Sequence, residues 1–147
     1  MTAIDTNILI YAYREDAAEH KRARNCLRAL AGSPALWAIP WPCVHEFLGV
    51  VTNPRVFRPP SPMAHAIAQI DAWRESPSIR FIGETNVHWE YLKQIITTAG
   101  VVGSMTHDAR IAAICLQHGV TNFLTVDRDF SRFPELRTVN PLTQDLS

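Results

Sequence analysis

The chain is short of most of the residues that small-site chemistry needs. Cysteine is scarce: Cys26, Cys43 and Cys115 lie far apart and form no Cys-x-x-Cys pair. That excludes a zinc ribbon, a thioredoxin-type motif and a disulfide framework, and it fits a reducing, cytoplasmic setting. No apolar run approaches the roughly 20 residues needed to cross a bilayer. The first residues are strand-like and carry Asp5, unlike a signal peptide. There is no Gly-x-Ser-x-Gly elbow and no glycine-rich phosphate loop. His45-Glu46 lacks the second histidine of a zinc-protease helix, and the six histidines show no ligand spacing. Lysine is rare as well, with only Lys21 and Lys93 against twelve arginines. Net charge is zero.

What is present is an ordinary globular balance. Hydrophobic residues make up 47% of the 147 positions and charged residues 19%, which argues against disorder. One domain spanning residues 1–147 is expected, large enough for a real core. Strand-like and helix-like segments alternate. Strands are expected at 2–4, 36–39, 78–82 and 122–126, with a fifth at 136–139. Helices are expected at 15–30, 42–51, 63–75, 87–99 and 108–117, the last nearly all apolar and therefore buried. A Pro-rich loop separates the second and third of these helices, and Gly100 and Gly119 close the last two. This order predicts an α/β domain with a parallel sheet of four to five strands and helices on both faces.

Four carboxylates sit inside otherwise apolar stretches: Asp5, Glu46, Asp108 and Asp127. An isolated ionised carboxylate in such surroundings is costly unless it is paired or binds a metal. By sequence, Asp5 and Asp127 follow strands one and four, Glu46 lies in the helix after strand two, and Asp108 opens the helix before strand four. Ligands of open α/β sheets bind outside the carboxyl ends of the strands. One acidic pocket holding Mg²⁺ or Mn²⁺ is the expectation, because hard cations take carboxylate oxygens. Each acid also has a plainer explanation. Asp5 suits a helix cap or an Asx-turn, Asp127 and Asp129 suit a turn, and Asp108 complements a helix dipole. Glu46 has the weakest such explanation, since its helical neighbours Pro42, Cys43, Gly49 and Val50 are apolar or small.

If those four acids sit on a cation, the rest of the chain has 14 basic against 10 acidic residues. Arg128 and Arg132 flank Asp127 and are the candidates for phosphate contact, arginine being the better phosphate fork. The Lys21–Arg28 cluster reads equally as a solvated helix face. His45 and His107 are candidates to support a site from behind. Trp37, Trp41, Trp73 and Trp89 are expected in the core.

Together these residues resemble a known family. Asp5-Thr6-Asn7, Glu46 after the second strand, His107-Asp108-Ala109-Arg110-Ile111-Ala112-Ala113 and Thr125-Val126-Asp127-Arg128-Asp129-Phe130 resemble the PIN-domain ribonucleases, and among them VapC-type toxins of bacterial toxin–antitoxin pairs. The likeness runs from Met1 to about Pro141. It implies a three-layer α/β/α fold with strand order 3-2-1-4-5, a homodimer, and a VapB-type antitoxin whose C-terminal segment blocks the site. It implies that Asp5, Glu46, Asp108 and Asp127 are catalytic and bind Mg²⁺ or Mn²⁺, supported by Thr6, Asn7 and Thr125. Asp129 is the second candidate acid of its motif, and Asp127 is preferred. The activity implied is a metal-dependent endoribonuclease acting on a structured RNA such as a tRNA. A catalytically silent RNA- or partner-binding module is the main alternative. A haloacid-dehalogenase-type phosphohydrolase is another, but it would need a second Asp where Asn7 stands.

Overall fold

The computed structural model describes residues 1–143, so the last four positions of the expected domain lie outside the described residues. The elements in chain order are β1 (Thr2–Ile4), α1 (Thr6–Tyr13), α2 (His20–Ala31), β2 (Trp37–Pro40), α3 (Trp41–Val51), α4 (Met63–Arg74), β3 (Ile79–Ile82), α5 (His88–Ala99), α6 (Met105–Gln117), β4 (Asn122–Leu124), a 3₁₀ turn (Arg128–Arg132) and β5 (Arg137–Val139). All neighbouring strands pair in parallel, in the order β3-β2-β1-β4-β5. This is the order the resemblance implied.

The chain reverses direction across the sheet once. From β1 it steps outward to β2 and β3, then returns to β4 and β5 on the other side of β1. Parallel crossovers are right-handed. The helices of the outward path and those of the return path therefore cover opposite faces. Contacts follow the same division: α1 packs on α2 and α3, and α3 on α4, while α5 packs on α6. The switch point lies between β1 and β4, where a crevice opens at the carboxyl edge.

Side-chain chemistry accounts for the layers. β2 is buried at all four positions, as a central strand covered on both faces must be. In α6, Ala109 and Ile111 to Cys115 are all buried, so the near-continuous apolar sequence packs as expected. Trp37, Phe47, Phe123, Phe130 and Phe133 are the largest fully buried side chains. Each contributes on the order of 2 kcal/mol by burial. Phe130 packs against Phe123 at 4.8 Å and Phe133 at 6.0 Å, which nails the 3₁₀ turn to β4. Gly100 and Gly119 follow α5 and α6 with φ of 63° and 74°, the left-handed conformation that ends a helix at least cost for glycine.

Several boundaries differ from expectation. The helix drawn over 15–30 begins only at His20, because Arg14 turns out of α1 to clamp Asp16, the Pro59 carbonyl and Ser61. A separate helix, α1, fills the stretch after Asp5. α6 starts at Met105, so Asp108 is its fourth residue rather than its first. β4 stops at Leu124, since the Thr125 hydroxyl accepts the Asp127 N–H and turns the chain. Trp41 and Trp89 are corrections: they are 41% and 60% exposed, and only Trp37 is fully in the core. Trp41 lies on Phe81 of the edge strand β3, with centroids 5.0 Å apart.

Candidate active site

β1 delivers Asp5 to the switch point. Its backbone N–H donates to the Leu124 carbonyl at 2.9 Å, continuing the β1–β4 ladder by one rung. The next residue begins α1, and Asp5 is its N-cap, with Oδ1 accepting the Thr6 N–H at 2.8 Å. The capping role expected of an Asp here is therefore real, and it coexists with the position at the crevice. Asp5 is 5% exposed. Its Oδ2 accepts the Thr125 hydroxyl at 2.7 Å and Asn7 Nδ2 at 3.3 Å, and the Cys43 thiol donates to Oδ1 at 3.7 Å. Burial raises its pKa to about 6, with smaller pushes from Glu46 and Asp127, against the lowering effect of the Thr125 and Thr6 hydrogen bonds.

Thr125 is the hub that joins the two sides of the crevice. Its hydroxyl donates to Asp5 and accepts from Asn7 Nδ2 at 3.2 Å and from the Asp127 N–H at 2.9 Å. That uses its one donor and both acceptor positions. Asn7 Oδ1 takes the Val126 N–H at 3.4 Å. Thr6 reaches the other way, donating its hydroxyl to Glu46 Oε2 at 3.3 Å, which ties α1 to α3. Thr6, Asn7 and Thr125 thus all bond directly to the candidate acids or to the backbone that carries them.

The remaining acids come from α6 and the 3₁₀ turn. Asp127 caps that turn, its Oδ1 accepting the Asp129 N–H at 2.9 Å. Asp108, Asp127 and Asp129 each offer an oxygen, and these oxygens all lie within 4.8 Å of one another. Asp108 has a raised pKa, first from burial, then from Asp127, Asp129 and Glu46, with His107 opposing. Asp129, ranked second in its motif by sequence, sits in the tightest group of acids among the described residues. Its signal was the turn chemistry: a capping Asp127 draws the backbone of residue 129 in toward itself.

The other candidates divide. Arg128 and Arg132 are exposed on the 3₁₀ turn beside the acids. Arg110, in the same motif as Asp108, points elsewhere and pairs with Glu84 at 2.5 Å. His45 and His107 are exposed and make no side-chain hydrogen bond among the described residues. His20, His88 and His118 are hydrogen-bonded to Tyr11, Gln117 and Gly83.

Among the described residues this donor set is mostly carboxylate, and the sulfur that touches it, the Cys43 thiol, is kept protonated by burial and donates to Asp5, which suits a hard divalent cation. Fold and site together define an α/β domain with an acidic crevice at the topological switch point. The chain belongs to the PIN domain family, whose sequence pattern matches residues 2–136. It is 34% identical to the VapC ribonuclease Mb2897 of Mycobacterium bovis over 97% of this chain and 96% of that one. It is 30% identical to the ribonuclease VapC25 of Mycobacterium tuberculosis over 96% of this chain and 99% of that one. Among solved structures it resembles VapBC2 of Rickettsia felis bound to a promoter DNA fragment. That match has a TM-score of 0.68 and 19% identity and covers 95% of this chain and 97% of that one.

Proposed function

We propose that the protein is an endoribonuclease that depends on Mg²⁺ or Mn²⁺ and serves as the toxin of a toxin–antitoxin pair. The observation that carries this is the gathering of Asp5, Glu46, Asp108, Asp127 and Asp129 around one crevice, in a chain 34% identical to VapC ribonucleases over nearly its whole length. Residues 1–147 form a single PIN domain on this reading, working in the cytoplasm.

The carboxylates of Asp5, Glu46, Asp108 and Asp127, with Asp129 beside them, would hold the cation. When bound, it supplies charge that offsets the phosphate and makes a coordinated water a better nucleophile. The rest of the work falls to the chain. Thr125 and Asn7 fix Asp5 and Asp127 relative to each other across the crevice, so the acids need little reorganisation. Thr6 holds Glu46 by Oε2, and among the described residues Oε1 has no protein donor, so it can accept a proton from water. Arg128 and Arg132, exposed on the turn that carries Asp129, would contact RNA phosphates.

The substrate class is a structured RNA with an unpaired loop, such as a tRNA, since loops expose bases and backbone to a protein crevice. The partner is a VapB-type antitoxin. Its inhibitory group is basic, because a guanidinium inserted among the carboxylates relieves the same repulsion that a cation would. The protein is a homodimer, and the uncovered Trp41, Val87 and Trp89 give it apolar surface to bury.

The test is RNA cleavage by the purified chain in Mg²⁺ or Mn²⁺, in EDTA, and with Asp5→Asn as the control. Cleavage that needs the metal and vanishes in the variant is expected. Undiminished cleavage in EDTA defeats the metal dependence. No cleavage of any RNA under any metal leaves a silent binding module as the better reading.

A further inference from the structure

The loop between α5 and α6 carries the most exposed large apolar side chain among the described residues, Val102, which is 78% exposed. Its own backbone holds it out. Gly100 ends α5 in the left-handed conformation, and the Val101 N–H returns to the Ile96 carbonyl at 3.1 Å, which buries Val101 and turns Val102 outward. Gly103, again left-handed with φ of 62°, starts the turn into α6, its carbonyl accepting the Thr106 N–H at 3.1 Å. A Cβ at either glycine would meet nothing within 4 Å, so the backbone path and not crowding asks for glycine there. β-Branching leaves the Val102 side chain little rotamer freedom to lose on contact. Ser104 follows as the N-cap of α6, in helical conformation, yet its hydroxyl makes no capping bond. It stands four residues before Asp108, hence on the same side of the helix and about 6 Å further out. The loop is therefore the crest of the crevice wall that carries Asp108. From Gly100 to Thr106 it has no charged side chain, so it cannot hold a phosphate by charge as the exposed Arg128 and Arg132 can. A stiff apolar knob beside a free hydroxyl matches an unpaired nucleobase, which has an apolar face and a polar edge.

Resting on the ribonuclease reading above, we infer that Val102 and Ser104 read the base next to the reacting phosphate, Val102 packing on its face and the Ser104 hydroxyl bonding its edge. An RNA strand cleaved at the acids passes this crest, so the surface continues the substrate path. The loop then decides which sequence is cut, and the acids decide how fast.

Cleavage of a pool of RNA hairpins with a fully randomised loop tests this, using the full chain with Mn²⁺ and sequencing the cut ends to obtain the base preference at each position. Wild type should prefer particular bases beside the cut. Val102→Ala should lower that preference about three- to tenfold at one position, as loss of two methyl groups from a partly covered apolar contact does. Ser104→Ala should lower it at the same position, and Val102→Ile, which keeps the knob, should retain it. The maximal rate on the best-cleaved hairpin should stay within about twofold of wild type in all three, since none of them removes a group at the reacting atoms. Both residues are exposed, so the variants should melt with wild type. Preferences unchanged at every position in Val102→Ala and Ser104→Ala overturn the inference, as does a loss spread evenly over all positions or a wild-type chain that cuts without base preference. A wild-type chain that cuts no hairpin overturns the ribonuclease reading itself, and this inference with it. Wild-type cutting with the variants indistinguishable from it overturns the inference alone.

Discussion

The two sides of the crevice are built from the same residue type and behave oppositely. On the α1 side, Asp5 is buried, bonded at both carboxylate oxygens and joined through Thr125, Thr6 and Asn7 to α1, α3 and the segment after β4. On the α6 side, Asp108, Asp127 and Asp129 are more open, sparsely bonded and close enough to repel one another. A carboxylate that is fully hydrogen-bonded is rigid and pre-positioned, but it has little left to offer a ligand. Carboxylates without donors are available, and their proximity makes the empty site unfavourable until positive charge arrives. Function needs both properties, and the fold separates them by a single bridging threonine.

The largest effect should come from removing charge on either side. Asp5→Asn and Asp108→Asn should each lower RNA cleavage by about 10²–10³-fold, the size expected when one preorganised charge-stabilising group is lost. Single-turnover assays on a loop-containing RNA at saturating Mg²⁺ would measure it. If one variant retained wild-type rates, the side it belongs to would not be part of the chemistry.

Next in size is the bridge. Thr125→Val keeps the shape and removes the hydroxyl, leaving Asp5 Oδ2 and the Asp127 N–H short of a partner. Urea unfolding should show a loss of about 1–3 kcal/mol, the penalty for orphaned buried polar groups. Cleavage should fall too. A stability change within error would show that the two sides do not depend on each other.

The buried acid of the α1 side also predicts a pH dependence. Asp5 has a folded pKa of about 6, above its unfolded value, so its contribution to stability is fully present below the unfolded pKa and is lost as pH rises through 6. In EDTA, wild type should gain about 1 kcal/mol relative to Asp5→Asn between pH 7.5 and pH 5. Parallel stability profiles for the two proteins would mean that the carboxyl group is not strained by burial. Saturating Mn²⁺ should flatten the wild-type slope, because a nearby cation favours the charged form.

The smallest effect belongs to the rim. Arg128→Ala and Arg132→Ala should weaken RNA binding by less than about tenfold each and reduce its salt dependence, as loss of a phosphate contact does. Mutations on the α1 side should leave that salt dependence alone. Salt titration of RNA affinity separates the two behaviours, and an unchanged slope in both arginine variants would remove them from the RNA path.

Much of this was legible before any coordinates. Asp5, Glu46, Asp108 and Asp127 stand out because an acid in an apolar run needs a reason, and the parallel α/β order puts strand ends and helix starts at one edge. The closeness of Asp129 to Asp108 and Asp127 is not legible along the chain, because it depends on the 3₁₀ turn, held by Phe130 against Phe123, meeting the start of α6. Trp41 and Trp89 were misplaced for a related reason: hydrophobicity says that a side chain can be buried, not whether the fold supplies a neighbour to bury it.

What the amino-acid sequence determined by itself was therefore local and additive: where strands and helices lie, which acids are out of place in their surroundings, which family the ordered motifs resemble. The tertiary structure alone decided which acids are bonded and which are free. That depends on residues far apart in the chain, such as Thr125 meeting Asp5 across 120 positions and Glu46 meeting Thr6 across 40. Hydrogen bonding is short-ranged and directional, so no pattern along the chain specifies which partner a carboxylate finds until the sheet has brought the strand ends together.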